Sequence, residues 1–101
     1  MKILITEFME AKSVEMLKKN FDVTVDNHLS QNPNELKKII SNFDILIVRN
    51  KTKVNKEILE NASRLKFIGR LGVGLDNIDT EYCRNNNIHV QPATGMNADS
   101  V

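Results

Sequence analysis

The segment from Leu65 to Asp79, LKFIGRLGVGLDNID, contains the residues of this chain that are best suited to hold a ligand. Its apolar start predicts a strand, which runs directly into a loop with Gly72 and Gly74. Glycine has no Cβ atom to keep a ligand away, and it permits the positive φ angles that turn successive N–H groups toward one point. The loop is therefore suited to a carboxylate or a phosphate. The alternative is a tight turn between a strand and a helix that needs glycine for its geometry alone.

These glycines do not form a dinucleotide-binding fingerprint. The motif G-x-G-x-x-G would need a third glycine at Asn77 and an acidic residue about 20 positions further along. Neither is present, so we expect no cofactor to be bound by this loop.

Two arginines are the candidate anion-binding side chains. Arg49 follows the apolar run DILIV, and Arg70 follows the next predicted strand. A guanidinium at the carboxyl end of a strand can make paired hydrogen bonds to an oxyanion. We expect both side chains to lie over the same cleft as the glycine loop, and the alternative for each is a surface ion pair.

The remaining polar candidates favour structural roles. Asp76, Asn77 and Asp79 are suited to accept backbone N–H bonds that shape the loop and start the next helix. His28 and His89 have no metal-ligand spacing, and Cys83, the only cysteine, fits a buried helix face. The sequence therefore predicts no catalytic residue and no metal site.

Strands and helices alternate along the chain. The predicted strands are Lys2 to Thr6, Phe21 to Val25, Asp44 to Val48, Leu65 to Ile68 and Ile88 to Val90. The predicted helices are Ala11 to Asn20, Pro33 to Ile40, Lys56 to Ala62 and Thr80 to Asn86, with Asn55 and Thr80 as caps. Val14, Met16 and Leu17 are expected on the buried side of the first helix.

This alternation predicts an α/β fold, a three-layer sandwich around a five-stranded parallel sheet with strand order 2-1-3-4-5. Ligands of such sheets lie at the carboxyl ends of the strands, near the point where the strand order reverses. Residues Gln91 to Met96 are expected to lead out of the domain.

Length and composition limit the function further. The 101 residues suffice for one domain, and 14 basic against 13 acidic residues provide no field for nucleic acid or an anionic membrane. The apolar run near the N-terminus, Ile3 to Ile5, is too short for a signal peptide. With a single cysteine, these features favour a soluble, cytoplasmic protein.

The segments LIVRNKTKVNKEIL, GRLGVG and NIHVQPATGMNADSV together resemble the N-terminal part of the D-2-hydroxyacid dehydrogenases, and most of all the D-3-phosphoglycerate dehydrogenase branch. The resemblance is ordered from Asp44 to Val101. It implies a flavodoxin-like substrate-binding domain over residues 1–101, with residues 92–101 leading into the interdomain helix. The dinucleotide-binding domain would begin beyond Val101.

The same resemblance assigns roles to several positions. It implies that backbone amides around Leu71, Gly72, Val73 and Gly74 hold the substrate carboxylate, and that Arg49 and Arg70 contact the substrate. Asn97 matches an asparagine that reaches substrate and nicotinamide, although the following ADSV departs from the usual continuation. The catalytic histidine lies downstream in members of the family, so we expect the chain alone to be inactive.

The implied partners are a small 2-hydroxy or 2-oxo acid, possibly phosphorylated, and the missing nucleotide-binding domain or a second copy in a homo-oligomer. NAD would be bound only in the complete enzyme. A free-standing flavodoxin-like binding or signalling module is the alternative. It is weakened because a receiver domain needs an aspartate where Arg49 stands, and a flavin site needs a Ser/Thr/Gly-rich loop where EFMEA stands.

Overall fold

The computed structural model describes residues 1–71 and 77–92. Five strands form one parallel sheet with the order β2-β1-β3-β4-β5, as predicted. The strands are β1 (Lys2–Ile5), β2 (Asp22–Val25), β3 (Ile45–Val48), β4 (Phe67–Arg70) and β5 (His89–Pro92). The predicted fold class is confirmed.

Helices cover both faces of the sheet. They are α1 (Ala11–Lys18), α2 (Pro33–Ile39), α3 (Lys56–Leu59) and α4 (Thr80–Asn85), with 3-10 turns at Asn27–Gln31 and Ile40–Asn42. Leu17 of α1 packs on the face that carries Ile3 and Ile47. Leu36 and Ile58, from α2 and α3, pack on the opposite face, so β3 is buried on both sides.

Local sequence explains where the helices begin. Pro33 occupies the first turn of α2, where its missing N–H costs no hydrogen bond. The Asn55 side chain caps α3 by accepting from the Ile58 amide at 3.1 Å. The predicted Thr80 cap is wrong: the Asp79 carboxylate accepts from the Tyr82 amide at 3.0 Å, and Thr80 is the first residue of α4. Aspartate and threonine are both good caps, so the sequence did not discriminate between adjacent positions.

Several predicted boundaries move by one to three residues. Strand β4 begins at Phe67 rather than Leu65, because the Leu65 amide is still bonded to the Ala62 carbonyl in a turn. Gln91 and Pro92, predicted to leave the domain, pair with Gly69 and Arg70 in the sheet. An edge strand tolerates proline because its outer N–H side needs no partner strand.

The first helix also differs from its prediction. It ends at Lys18, and Met16, expected on the buried side, is 44% exposed. Leu17 is the buried residue of this helix, and Val14 is half-buried against the same cluster. A helix of two turns has room for only a narrow apolar stripe, and Met16 lies outside it.

Candidate functional site

The carboxyl end of β3 is held in place by a buried carboxylate from the neighbouring strand. Glu7 follows β1 and is only 4% exposed. Its carboxylate accepts hydrogen bonds from the amides of Arg49 at 2.9 Å, Lys51 at 3.1 Å and Thr52 at 2.8 Å. A buried charge is tolerated where several donors replace its water, and here three amides of one loop do so.

The protonation state of Glu7 follows from these bonds. Burial raises its pKa, but the Thr52 hydroxyl and the amides of Thr52, Arg49 and Lys51 together outweigh burial. The pKa of Glu7 therefore lies below its ordinary value, and the group is a carboxylate at neutral pH. The Thr52 hydroxyl lies 2.8 Å from that of Thr6, and both residues are buried. Either hydroxyl can be the donor in this pair.

The side chain of Arg49 is held by the residue after Glu7. Its Nε donates to the carbonyl oxygen of Phe8 at 2.8 Å, and its guanidinium carbon lies 5.9 Å from the centre of the Phe8 ring. Among the described residues, no carboxylate lies within ion-pair distance of Arg49. No described acidic group thus neutralises the charge of the Arg49 guanidinium. The hydrogen bond from Nε to the Phe8 carbonyl fixes the direction of the group.

Arg49 lines a cavity of about 290 Å³ at the carboxyl ends of β1, β2 and β3. Its other lining residues are Glu7, Phe8, Asn27, Ser30, Gln31, Asn50 and Lys51. Apart from Phe8, all the lining residues have polar side chains, and two of them, Arg49 and Lys51, are cationic. Because the Glu7 carboxylate is occupied by amides, the cavity offers a ligand two cations together with the neutral amide and hydroxyl side chains.

Asn77 holds the same loop from the opposite side. Its side-chain amide donates to the carbonyl oxygens of Arg49 and Thr52, both at 2.8 Å, and its own carbonyl accepts from the Val54 amide at 2.7 Å. The structural role expected for Asn77 therefore reaches beyond its own loop, because its side-chain nitrogen donates to carbonyls 25 and 28 residues away; that it also accepts a local N–H bond stays a prediction. The local capping role is confirmed for Asp79. Asp76 lies outside the described residues.

The structure places Arg70 in a different cavity from Arg49. Arg70 is the last residue of β4 and pairs in register with Val48, which packs on the face covered by α2, α3 and α4. It lines a cavity of about 430 Å³ with Thr80, Cys83, Arg84, Asn87, Ile88, His89 and Val90. Among the cavities lined by described residues, the two arginines thus line different ones, and the glycine loop of the expected common cleft lies outside the described residues. Their roles in binding remain predictions.

Of the backbone amides predicted to hold the substrate carboxylate, at residues 71–74, the structure describes only that of Leu71. The Leu71 amide donates to the Val48 carbonyl at 2.8 Å, and the half-buried side chain packs on the face covered by α1. This amide extends the β3–β4 pairing and is therefore not available to a carboxylate. Gly72, Val73, Gly74 and Asn97 lie outside the described residues.

The groups predicted to be structural are found in structural environments. Cys83 is buried, and burial with the nearby Asp79 charge raises its pKa to about 11. The exposed His89 stacks on Phe67 with ring centres 5.4 Å apart, at the start of an edge strand. Within residues 1–71 and 77–92, no group of three His, Cys, Asp or Glu residues could hold a metal ion.

Sequence reasoning missed Glu7. It was considered only as part of EFMEA, a segment that lacks the residues of a flavin phosphate loop. A signal was available, since a glutamate directly after a strand buried on both faces is placed where it must find partners. Those partners are more than 40 residues away, and only the sheet pairing identifies them.

Comparison with known proteins agrees with the sequence resemblance. The family described as D-isomer specific 2-hydroxyacid dehydrogenase, catalytic domain, matches residues 3–101. A curated relative, the (S)-sulfolactate dehydrogenase of Chromohalobacter salexigens, is 44% identical over 99 residues. That alignment covers 98% of this chain and 32% of the relative.

Solved structures share the fold. The PH0520 protein of Pyrococcus horikoshii superposes with a TM-score of 0.86 at 39% identity, covering 94% of this chain and 28% of that one. The NAD⁺-bound 3-phosphoglycerate dehydrogenase of Entamoeba histolytica has a TM-score of 0.79 at 29% identity, covering 92% of this chain and 32% of that one. The present chain thus spans about a third of the length of these proteins. In its described part, no helix has both the length and the apolar character needed to span a bilayer.

Proposed function

Because the chain belongs to the D-isomer specific 2-hydroxyacid dehydrogenase family, we propose that it is the substrate-binding domain of an NAD-dependent 2-hydroxyacid dehydrogenase. The domain would comprise residues 1–101, with residues 92–101 leading toward the interdomain helix and Asn97 near the substrate. The fold agrees with this proposal, since the candidate site lies at the carboxyl end of the sheet beside the β1–β3 switch in strand order.

The observation that carries the proposal is the arrangement of Arg49. Its guanidinium is anchored through Nε to Phe8 and lines a polar cavity, with no described carboxylate as an ion-pair partner. A preorganised arginine of this kind is suited to bidentate binding of a carboxylate, phosphate or sulfonate. We propose that Arg49 binds an anionic group of the hydroxy acid. The amides of residues 72–74 and the Arg70 side chain would be further contacts.

The substrate we favour is a 2-hydroxy acid with a second anionic group, of the 3-phosphoglycerate or sulfolactate kind. The names of two similar proteins, a sulfolactate and a 3-phosphoglycerate dehydrogenase, support this class. The charge of the cavity supports it as well, because Lys51 adds a second cation beside Arg49. Two cations in one cavity, beside a Glu7 carboxylate whose charge is directed at the loop amides, match a doubly charged ligand better than a simple monocarboxylate.

The residues at the end of the glycine loop do not fit a binding site for NAD. Asn77 stands where a dinucleotide fingerprint needs its third glycine, and its side chain is already bonded to two carbonyls of the Arg49 loop. We propose that NAD is bound by a separate nucleotide-binding domain, where it would accept or supply the hydride at C2 of the acid. The contribution of the present chain would be to bind and orient the acid. Alone, it should be inactive.

Titration of the labelled chain with 3-phosphoglycerate, followed by NMR, tests the proposal. We expect millimolar binding, with the largest shift changes at residues 49–52 and in the glycine loop, as expected for one side of a cleft without its closing domain. Arg49→Ala should weaken this binding. Arg64→Ala is the matched control, because Arg64 is an exposed arginine at the other end of the sheet, paired with Asp44.

Three outcomes would count against the proposal. Shifts centred on His28 or on α1 would move the site elsewhere. Saturable binding of NADH, or turnover of 3-phosphoglycerate, glycerate or lactate by the purified chain, would contradict the division of labour between two domains. Equal weakening by Arg49→Ala and Arg64→Ala would indicate nonspecific charge attraction in place of a binding site at Arg49.

A further inference from the structure

Two side chains, Glu7 and Asn77, hold the main chain of the loop that carries Arg49. Neither belongs to a known binding motif. Glu7 accepts the amides of Arg49, Lys51 and Thr52, while Asn77 donates to the carbonyls of Arg49 and Thr52. We propose that Glu7 and Asn77 are positioning residues that fix residues 49–52 and thereby aim the Arg49 guanidinium at its cavity. This inference rests on the proposed function, in which Arg49 binds an anionic group of the hydroxy acid.

The two contacts are complementary in polarity. Glu7 is an acceptor only and takes the N–H groups of the loop, whereas the Asn77 amide nitrogen is a donor and takes its C=O groups. Both residues bond to Arg49 and to Thr52, so they hold the start and the end of the same short segment. A loop held at both ends from two sides keeps one conformation, and an arginine mounted on it loses less entropy when it binds a ligand.

The placement of charge supports the same role. Glu7 lies close enough to Arg49 to bond its amide, yet its carboxylate makes no ion pair with the Arg49 guanidinium. An ion pair there would compete with an anionic ligand. Since the carboxylate charge is directed at three amides, Glu7 supports the arginine without neutralising it.

Asn77 also connects two parts of the proposed site. It is the first described residue after the glycine segment, and it is bonded to the main chain of Arg49, Thr52 and Val54. The residue that follows the glycine segment is therefore tied to the Arg49 loop. In the proposed function, in which the glycine amides and Arg49 bind one ligand, Asn77 would help to set the separation of these two contacts.

The chain provides a matched control for a role that is only structural. Asp44 is also a buried carboxylate that accepts a main-chain amide, that of Lys2 at 2.9 Å. It precedes β3, at the opposite end of the strand from Arg49. Asp44→Asn therefore removes a comparable interaction without touching the Arg49 loop.

The first measurement needs no ligand. In the folded chain the Arg49 Nε–H donates to the Phe8 carbonyl, so its NMR signal should be resolved and its exchange with water slowed. Glu7→Gln and Asn77→Ala should each broaden this signal or speed its exchange by about tenfold, because the loop that mounts Arg49 is released. Asp44→Asn should lower the unfolding midpoint and leave the signal unchanged.

The second measurement is a double-mutant cycle on binding. Glu7→Gln should raise the dissociation constant for 3-phosphoglycerate by about five- to tenfold, and it should have no further effect when Arg49 is already alanine. Asp44→Asn should leave the dissociation constant unchanged in either background. An equal effect of Glu7→Gln with and without Arg49 would mean that Glu7 acts on the whole domain.

The two measurements separate the possible failures. If the wild-type chain binds no 3-phosphoglycerate but both variants lose the Nε–H signal, the proposed function fails and the positioning role stands. If a folded Glu7→Gln or Asn77→Ala variant keeps the slowly exchanging signal, the positioning role is overturned. Should Glu7→Gln not fold, Asn77→Ala decides the question by the same criterion, because the proposal requires both residues.

Discussion

The hydroxyl oxygens of Thr6 and Thr52 lie 2.8 Å apart, although 46 residues separate them in the sequence. Both residues are fully buried, and the Thr52 hydroxyl also donates to the Glu7 carboxylate. The pair therefore joins the carboxyl end of β1 to the loop after β3 directly beneath the candidate site. A buried hydroxyl pair of this kind matters chiefly because either member would be left unsatisfied without the other.

We predict that Thr52→Val destabilises the chain by about 1–3 kcal/mol, the usual cost of leaving a buried polar partner unsatisfied. Valine has almost the same shape, so packing is preserved and the loss reports the hydrogen bonds. The free energy of unfolding, measured in urea, gives the value. Thr24→Val on the exposed edge strand β2 is the control, and an equal loss there would refute the interpretation.

The second prediction concerns acid stability. The pKa of Glu7 is lowered by bonds that outweigh burial, and that of Asp44 is lowered mainly by the Lys2 amide. The unfolded chain therefore binds more protons in acid than the folded chain, and the free energy of unfolding falls as pH falls. This stabilisation is complete above the ordinary carboxyl pKa, about 4, and is lost as pH falls through the lower folded-state values.

Urea unfolding from about pH 7 down to about pH 2 checks this expectation. Glu7→Gln should make the pH profile shallower in acid and lower the stability at neutral pH. An unchanged acid slope in Glu7→Gln would show that Glu7 has the same pKa in both states. The Asp44→Asn profile measures the contribution of the other buried carboxylate in the same way.

The third prediction is that Cys83 reacts slowly with thiol reagents. Its pKa of about 11 leaves a much smaller thiolate fraction at mildly alkaline pH than an ordinary cysteine has. The pKa difference alone should slow the reaction by about two orders of magnitude, and burial adds to this. A colorimetric thiol assay in native buffer and in urea compares the two states. Rapid reaction of the folded chain would contradict the buried position of Cys83.

The fourth prediction concerns ligand charge. Lys51 lines the Arg49 cavity, so Lys51→Ala should weaken binding of 3-phosphoglycerate about two- to fivefold, as expected for a partly screened cation, and should affect glycerate less. Lys53→Ala is the control, since Lys53 is near in sequence but is not among the residues that line the Arg49 cavity. Competition titrations with both acids give the ratio. Equal losses for the two acids would remove Lys51 from the recognition of the second anionic group.

The sequence by itself determined the architecture. Alternating strands and helices of short length leave few arrangements other than a parallel sheet with helices on both faces, and the observed strand order agrees. The same local signals correctly placed Asn55 as a cap, Pro33 at a helix start and Cys83 in the core. These features depend on neighbouring residues, which is why periodicity and capping chemistry could identify them.

Only the tertiary structure decided how the site is built. Arg49 and Arg70 follow similar apolar runs, yet register and side-chain direction place them in separate cavities, because a shift of one residue along a strand moves a side chain to the other face. The side-chain partners of Glu7 and Asn77 lie 25 to 45 residues away and, apart from the Thr52 hydroxyl, are N–H and C=O groups of the main chain, which nearly every residue carries. Which main-chain groups become partners depends on which strand ends meet at the edge of the sheet, and the local sequence does not contain that information.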